Sequence, residues 1–390
     1  MINDQAETLL ADVLAPLSTY AFFDAVGKTY LDVKGSPAHF RAQLFGADPK
    51  RTALEAWGTH SARLEWHSKV ATEPPPISRT VASADEFLGL INSFHERGYT
   101  VVIPDVVPLA TGLQRFARAL EYMLGQPVGA SLFWSAAGAQ AIVHYDKRDN
   151  IIIQLEGKKR WFISTDEPGL QNKWMQVGEP LPHLQRHRVV DAEPGDLIYI
   201  PRGTPHTVES TTESLHLAIL FEPITVREAI IAAVDHLSDG DRLFRETAVG
   251  RVRDADPASL SEAIANGLNR LLTHCRSQGF IQAAMDLRSS RVTADLPALA
   301  GPARPSNITR NSLVRQTPLA ISYLRPSFAS LDFSYPGGHI ALHPGVQSEL
   351  DFITSTGSFR VADVPGASGD NVKMALVSRL IECGFLEVAD

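Results

Sequence analysis

Hydrophobic and polar positions change period twice along this chain of 390 residues. Residues 1–97 mix helical patterns with one strand-like run, Tyr30-Leu31-Asp32-Val33, closed by Gly35, and carry the run Pro74-Pro75-Pro76, expected to be a surface connection. From 98 to 222 the pattern shortens. Tyr99 to Ile103 reads as a β-branched strand and 112–124 as a helix, and several apolar runs punctuated by Gly, Pro and Asp follow. This stretch predicts an all-β core with flanking helices.

A 3.6-residue period begins at Thr225, where Thr225 and Glu228 stand at capping-box spacing and Ile230, Ala233, Val234 and Leu237 share one helical face. A second helix is expected after Asp256, with Pro257 at its first position and Ile264, Leu268, Leu271 and Leu272 as its apolar stripe. Two amphipathic helices define a helical module over 223–300. Beyond Gly301-Pro302-Ala303-Arg304-Pro305, read as a linker, residues 301–390 hold short strands, a helix near 345–355, another near 370–382, and a last strand at Phe385-Leu386-Glu387-Val388. That order is compatible with a small winged-helix domain.

Composition narrows the class. Hydrophobic residues make up 44% and charged residues 21%, as in an ordinary globular protein, and the net charge of −8 argues against a surface built for phosphate backbones. Cys275 and Cys383 have neither CxxC nor CxxH spacing, so no disulfide framework or thiolate zinc site is available, which fits a reducing cytoplasm. The first residues are acidic where a secretory signal is basic, and no apolar run approaches a membrane span, so export and membrane insertion are not expected.

The chemistry concentrates in the β-rich stretch. His144 and Asp146 lie two apart just before Asn150-Ile151-Ile152-Ile153-Gln154-Leu155, so on extended backbone both side chains leave the same face, as two ligands of one metal would. A histidine on a strand is more often a packed residue than a ligand, and an isolated HxD arises by chance. The spacing adds weight: Gly195-Asp196 launches the strand Leu197-Ile198-Tyr199-Ile200, and a Pro/Gly-punctuated turn then presents His206. Two imidazoles and a carboxylate leave the opposite positions of a metal open, the arrangement of non-haem Fe(II) oxygenases. Between these elements, Gln154 to Ile163 reads as a hairpin turning at Glu156-Gly157-Lys158, with Lys159, Trp161 and Ile163 on one face. If that face is interior, Lys159 is a buried cation in need of an anion, which one end of a metal-chelating dicarboxylate would supply; otherwise Lys158-Lys159-Arg160 is a solvated turn.

Taken together, Gly98 to Ile103, His144-Tyr145-Asp146, Gln154-Leu155-Glu156-Gly157-Lys158-Lys159-Arg160-Trp161, Pro194-Gly195-Asp196-Leu197-Ile198-Tyr199-Ile200-Pro201 and His206 resemble the JmjC branch of the cupin superfamily. More narrowly, they are similar to the 2-oxoglutarate- and Fe(II)-dependent hydroxylases of the ribosomal-oxygenase type. The resemblance implies an α+β protein built on a double-stranded β-helix, with N-terminal helices over 1–97 and the catalytic core over 98–222. It implies an iron site of His144, Asp146 and His206. Lys159 falls where the family pairs the distal carboxylate of 2-oxoglutarate, and Ser135 where some members add a hydroxyl. His216 falls at an inward position often polar in relatives, and Tyr145 and Arg148 are further candidates for substrate or supporting contacts. Leu132 departs from relatives that carry a polar residue there, and Lys147-Arg148 add unusual positive charge after the HxD.

The resemblance further implies Fe(II), 2-oxoglutarate and dioxygen as reactants, and a protein or peptide side chain as substrate, with a ribosomal protein the first expectation. It implies a helical dimerisation module, hence a homodimer, and a C-terminal winged helix that does not read nucleic acid. A biosynthetic peptide or amino-acid hydroxylase, a cupin isomerase or decarboxylating enzyme using another divalent metal, and a non-catalytic cupin sensor are the competing readings.

Overall fold

A computed structural model of the chain describes residues 2–36, 38–60, 64–69, 73–75, 81–170, 184–250, 256–298, 308–326 and 329–389. Pro76 and the expected linker at 301–305 lie outside them. The chain divides into two compact units, residues 2–223 and 224–390.

In the first unit, α1 (Ile2–Leu14), α2 (Thr19–Ala25), β1 (Leu31–Val33), α3 (Pro49–Leu54), α4 (Trp57–His60), β2 (Glu65–His67), α5 (Ala84–His95), β3 (Thr100–Ile103) and α6 (Thr111–Leu124) lead into β4 (Gly129–Ser135). There follow β5 (Asp149–Glu156), β6 (Lys159–Ser164), β7 (His187–Ala192), β8 (Leu197–Ile200), β9 (His206–Ser210) and β10 (Ser214–Phe221). They form a seven-stranded sheet of order β1-β8-β5-β10-β4-β3-β2 and a three-stranded sheet of order β7-β6-β9, antiparallel throughout. The bridges Gln140↔Glu209 and His144↔His206 lay residues 140–144 beside β9 in the smaller sheet.

Every residue of β5 from Asp149 to Leu155 is buried, which explains its unbroken apolar run: a central strand covered on both faces does not alternate. Ile152 packs with Trp161, Ile163, Val190, Ile198 and Ile200 between the sheets. On the other face of β8, the Tyr199 ring meets Phe22 of α2 edge-on at 5.4 Å, so the N-terminal helices cover the larger sheet.

The expected hairpin at 156–158 is not one. β5 pairs with β8 and β10, whereas β6 pairs with β7 and β9, so this turn carries the chain from one sheet to the other. Gly157 adopts φ +65, and a Cβ there would stand 2.0 Å from the Glu213 carbonyl oxygen. Local sequence specifies the turn, but the partner strands that claim β5 lie more than forty residues downstream.

A second close approach fixes the turn before β8. Gly195 has φ +92, and a Cβ on it would lie 1.9 Å from the Ser36 carbonyl oxygen. Beside it the fully buried Arg41 guanidinium donates to the carbonyls of Gly195, Val13, Ala15, Val33 and Lys34. Replacing Arg41 by Met should therefore cost about 3 kcal/mol or more, since several carbonyls lose their donor at once. A chemical-denaturation midpoint within error of the parent would contradict this.

In the second unit, α7 (Val226–Gly240) begins with the expected capping box: Thr225 Oγ1 accepts from the Glu228 amide at 3.2 Å, and Glu228 Oε2 from the Thr225 amide at 3.1 Å. Ala233 and Leu237 are buried, but Ile230 of the expected face is exposed. α8 (Pro257–Cys275) is N-capped by Asp256. Of its expected apolar stripe only Leu271 is buried; Ile264, Leu268 and Leu272 are 54%, 58% and 57% exposed. A third helix, α9 (Gln278–Asp295), was not anticipated, because its apolar residues are scattered around the helix and leave little 3.6-residue periodicity.

After α9 come β11 (Leu313–Gln316), β12 (Tyr323–Pro326), β13 (Leu331–Tyr335), β14 (Gly338–Leu342), α10 (Gln347–Ser355), β15 (Ser358–Arg360), α11 (Asp370–Glu382) and β16 (Leu386–Val388). The strands form two antiparallel sheets, β12-β13-β14 and β15-β11-β16. A core of Val314, Phe333, Leu350, Ile353, Val377 and Leu380 joins them to α10 and α11. Among the described residues no helix is long and apolar enough to cross a membrane.

Candidate active site

A cavity opens between the two sheets of the first unit, and the two-residue period of each strand decides what lines it. From the smaller sheet come Lys159 and Trp161 of β6 and His206, Val208 and Ser210 of β9, with Ala139, Ala141 and His144 from the adjoining segment. The larger sheet contributes His67, Thr100, Phe133, Asn150, His216, Ala218 and Leu220.

His144, Asp146 and His206 converge there, each offering a ligand atom within 4.8 Å of the others. The register brings them together: His144 and His206 are bridge partners that exchange both backbone hydrogen bonds, at 3.0 and 2.8 Å. His144 Nδ1 faces the Ile142 carbonyl and His206 Nδ1 the Thr204 carbonyl, each at 2.9 Å. A carbonyl only accepts, so both rings carry their proton on Nδ1 and leave the Nε2 lone pair free, the tautomer a metal requires. Burial pushes the His206 imidazole below its ordinary value against the opposing pull of Asp146, which favours the neutral ligand form. Asp146 is oriented by Asn150, whose Nδ2 donates to Oδ2 at 3.3 Å.

Lys159 is interior, not part of a solvated turn. It is 2% exposed, and its Nζ donates to Ser135 Oγ at 2.7 Å, an oxygen that also accepts from Thr100 Oγ1 at 2.9 Å. Burial pushes the ammonium down to about 7. Apart from Asp146 in the metal cluster, no carboxylate lines the cavity among the described residues, so it offers a desolvated amine flanked by hydroxyls and lacks a counter-anion. His216 stacks on Phe133, with centroids 4.7 Å apart, and its buried Nδ1 has no partner among the described residues. Burial, reinforced by Lys159 and His67, drives its protonation far below the ordinary value. Both histidines are thus neutral around Lys159, since burial, Lys159 and His144 together push His67 down to about 4.

The cavity therefore brings together His144, Asp146, His206, Lys159 and His216, while Ser135 is fully buried outside the lining and meets it through Lys159. Tyr145, between two cluster residues, is not among its lining residues, and Arg148 lies on the surface with Nε 3.4 Å from Glu222. Leu132 is buried outside the lining, which Phe133 supplies from the same strand. Among the lining residues that the sequence does not mark as site candidates are His67, Thr100 and Asn150. His67 ends a three-residue strand too short to show a period, Thr100 lies on a recognised strand whose inward face was undetermined, and Asn150 looked like a boundary residue of an apolar run.

With this geometry in view, the chain can be set beside the known proteins it resembles. Residues 109–229, the stretch that holds the His144, Asp146 and His206 cluster, match the model of the JmjC domain. The wider resemblance is to ribosomal oxygenases. Ribosomal oxygenase 2 of Bos taurus is 32% identical over 232 residues, which cover 55% of this chain and 48% of that protein. The bifunctional lysine-specific demethylase and histidyl-hydroxylase NO66 of Dictyostelium discoideum is 25% identical over 232 residues, 55% of this chain and 43% of the relative. The chain thus spans less than half the length of these curated relatives. The structure of YcfD, a ribosomal oxygenase from Escherichia coli in complex with cobalt and 2-oxoglutarate, superposes with a TM-score of 0.55 at 16% identity, covering 96% of this chain and 99% of that one. At that identity the likeness speaks for the fold.

Proposed function

We propose that this chain is a 2-oxoglutarate- and Fe(II)-dependent dioxygenase that hydroxylates an amino-acid side chain in a protein or peptide. One observation carries the reading: a His-Asp-His cluster with both imidazoles set to coordinate shares a cavity with a buried lysine that has no carboxylate partner among the described residues. The donor set suits a borderline divalent metal with open positions, and the Lys159–Ser135 pair suits the far carboxylate of a chelating 2-oxo acid. Fe(II) held by His144, Asp146 and His206 would supply, with 2-oxoglutarate and dioxygen as reactants, the oxidation that converts a C–H to a C–OH bond, with succinate and carbon dioxide as co-products.

The protein's own contribution is placement. His144, Asp146 and His206 would hold the metal, Lys159 with Ser135 behind it would set the direction of the co-substrate, and Phe133, Trp161 and Val208 keep the cavity walls apolar. The relatives named as ribosomal oxygenases and as a histidyl-hydroxylase support a protein target, with a ribosomal protein the first expectation. The competing small-substrate reading is a peptide or amino-acid hydroxylase of a biosynthetic pathway.

Dimerisation through the second unit belongs to the same proposal. The exposed stripe Ile264, Leu268 and Leu272 on α8 is apolar surface for a second copy, and light scattering that finds only monomer at micromolar concentration would contradict it. We read β15-β11-β16 with α10 and α11 as the winged helix, without a nucleic-acid role, and the protein as cytoplasmic.

The deciding experiment is anaerobic titration with Fe(II) and then 2-oxoglutarate, watched for the visible charge-transfer band of a chelated 2-oxo acid. A band at one equivalent supports the oxygenase. Metal binding without a band at any concentration favours a sensor or another cupin enzyme.

A further inference from the structure

Asp149, the first residue of β5, is a fully buried carboxylate that belongs neither to the metal cluster nor to the residues lining the cavity. A carboxylate is costly to bury unless donors surround it, and here they do. The Tyr199 hydroxyl donates to Oδ2 and the Arg202 amide to Oδ1 at 3.3 Å, while the Arg202 guanidinium adds a favourable charge. Tyr199 is itself held: its Oη accepts from the Gly27 amide at 2.8 Å, and its ring meets Phe22.

What this carboxylate grips is the turn Pro201-Arg202-Gly203-Thr204-Pro205 between β8 and β9. The three middle residues make consecutive links. The Arg202 amide goes to Asp149, the Gly203 amide to the Asp146 carbonyl at 2.9 Å, and the Thr204 carbonyl faces His206 Nδ1 at 2.9 Å. Among the described residues, Asp149 is the only side chain that receives a backbone amide of this turn. A displacement of Arg202 is therefore passed, within two residues, to the backbone of one candidate ligand and the ring of another.

We propose that Asp149 is a positioning residue for the metal site: its carboxylate, aimed by Tyr199, fixes the 201–205 turn and through it sets Asp146 and His206 for coordination. The inference rests on the metal-dependent reading of the cavity and adds to it a residue that touches neither metal nor co-substrate. It also accounts for the burial of a charge at this point. Both oxygens of an ionised carboxylate accept, so its two donors are satisfied at once, which neither an amide nor an apolar side chain achieves.

The test titrates the full chain, free of metal, with Co(II) and follows the visible absorption in parent, Asp149→Asn and Tyr199→Phe. Asp149→Asn keeps the size of the side chain and an acceptor for Arg202, but offers Tyr199 an N–H in place of an oxygen. Tyr199→Phe keeps the buried charge and removes only the hydroxyl that aims it, so weakening there reports placement and not the field of the carboxylate. Co(II) affinity is expected to fall about 10- to 100-fold in Asp149→Asn, the range for groups that orient metal ligands, and about tenfold in Tyr199→Phe. The saturated variants should also show visible bands displaced in position or intensity, because the ligands meet the ion in an altered arrangement. Asp191→Asn, which removes an exposed carboxylate of β7, should match the parent in both.

A role in fold stability alone predicts a different pattern: a lower unfolding midpoint of the metal-free protein, with parent affinity and parent bands. That result in Asp149→Asn, or unchanged affinity and spectrum in Tyr199→Phe, overturns the assignment. Should Asp149→Asn not fold, Tyr199→Phe decides alone. A parent protein that binds no Co(II) would instead sink the metal site itself, so the two failures are distinguishable.

Discussion

A His206→Ala protein is expected to lose the 2-oxoglutarate charge-transfer band and to turn over 2-oxoglutarate at least about 100-fold more slowly than the parent. Removal of groups that merely orient metal ligands typically costs 10–100-fold, and His206 is itself a candidate ligand. Its imidazole is buried, fixed by the Thr204 carbonyl, and 4.4 Å from the His144 ring. The backbone bridge to His144 does not involve the ring, so the smaller sheet should survive the change. Far-ultraviolet circular dichroism should match the parent while the band is absent. His144→Ala should behave in the same way, and a metal-loaded His144→Ala protein turning over 2-oxoglutarate at the parent rate would refute the site.

Replacing Lys159 by Met should leave metal binding intact and weaken 2-oxoglutarate binding by roughly 2–5 kcal/mol, the usual effect of truncating one partner of a buried charge pair. Thirtyfold or more in Kd is the expected reading. The parent should also show a pH dependence that the variant lacks. Burial places Lys159 at about 7 before the anion arrives, and a carboxylate stabilises only the ammonium form. Above about pH 7 binding must therefore recruit a proton, and affinity should fall as pH rises until the pKa of the bound state is reached. Below about 7 the amine is already charged before the anion binds, so there affinity should level off at its highest. His67 and His216 are neutral across this window and contribute no opposing slope. An affinity independent of pH between 6 and 9, or equal affinities in parent and variant, would remove Lys159 from the co-substrate site. For stability the sign is opposite to that of a paired lysine. The unfolded chain binds the proton up to about 10.5, so the cost of burying Lys159 is greatest below about 7 and declines as pH rises from about 7 to about 10.5.

How much of this was legible in the chain depended on how local the determinants are. His144 and Asp146 could be paired because two residues of extended backbone fix a shared face, and His206 could be added because Gly195-Asp196 and Pro201 to Pro205 bracket a strand and a turn. The alternation Lys159, Trp161, Ile163 was visible, yet only the pairing of β6 with β9 decides that this face is interior. The same non-locality undid the hairpin at Gly157: adjacency in sequence suggested that β5 and β6 pair, whereas β8 and β10 hold β5. His67 comes from the far edge of the larger sheet and bears no local mark of its position. In the second unit the periods of α7 and α8 located the helices but not which apolar residues their neighbours cover, so the stripe on α8 was visible and its exposure was not.

β10 is made after every other strand of the first unit, yet it lies in the middle of the larger sheet with β4 on one side and β5 on the other. During synthesis β4 and β5 must wait for it, with their central edges unpaired, until the ribosome has passed Phe221. His216 and the back wall of the cavity arrive on that same strand. A nascent chain that has already exposed His144, Asp146 and His206 still lacks the wall that would close around a metal, so loading of the site belongs to the finished fold and follows translation of the whole first unit.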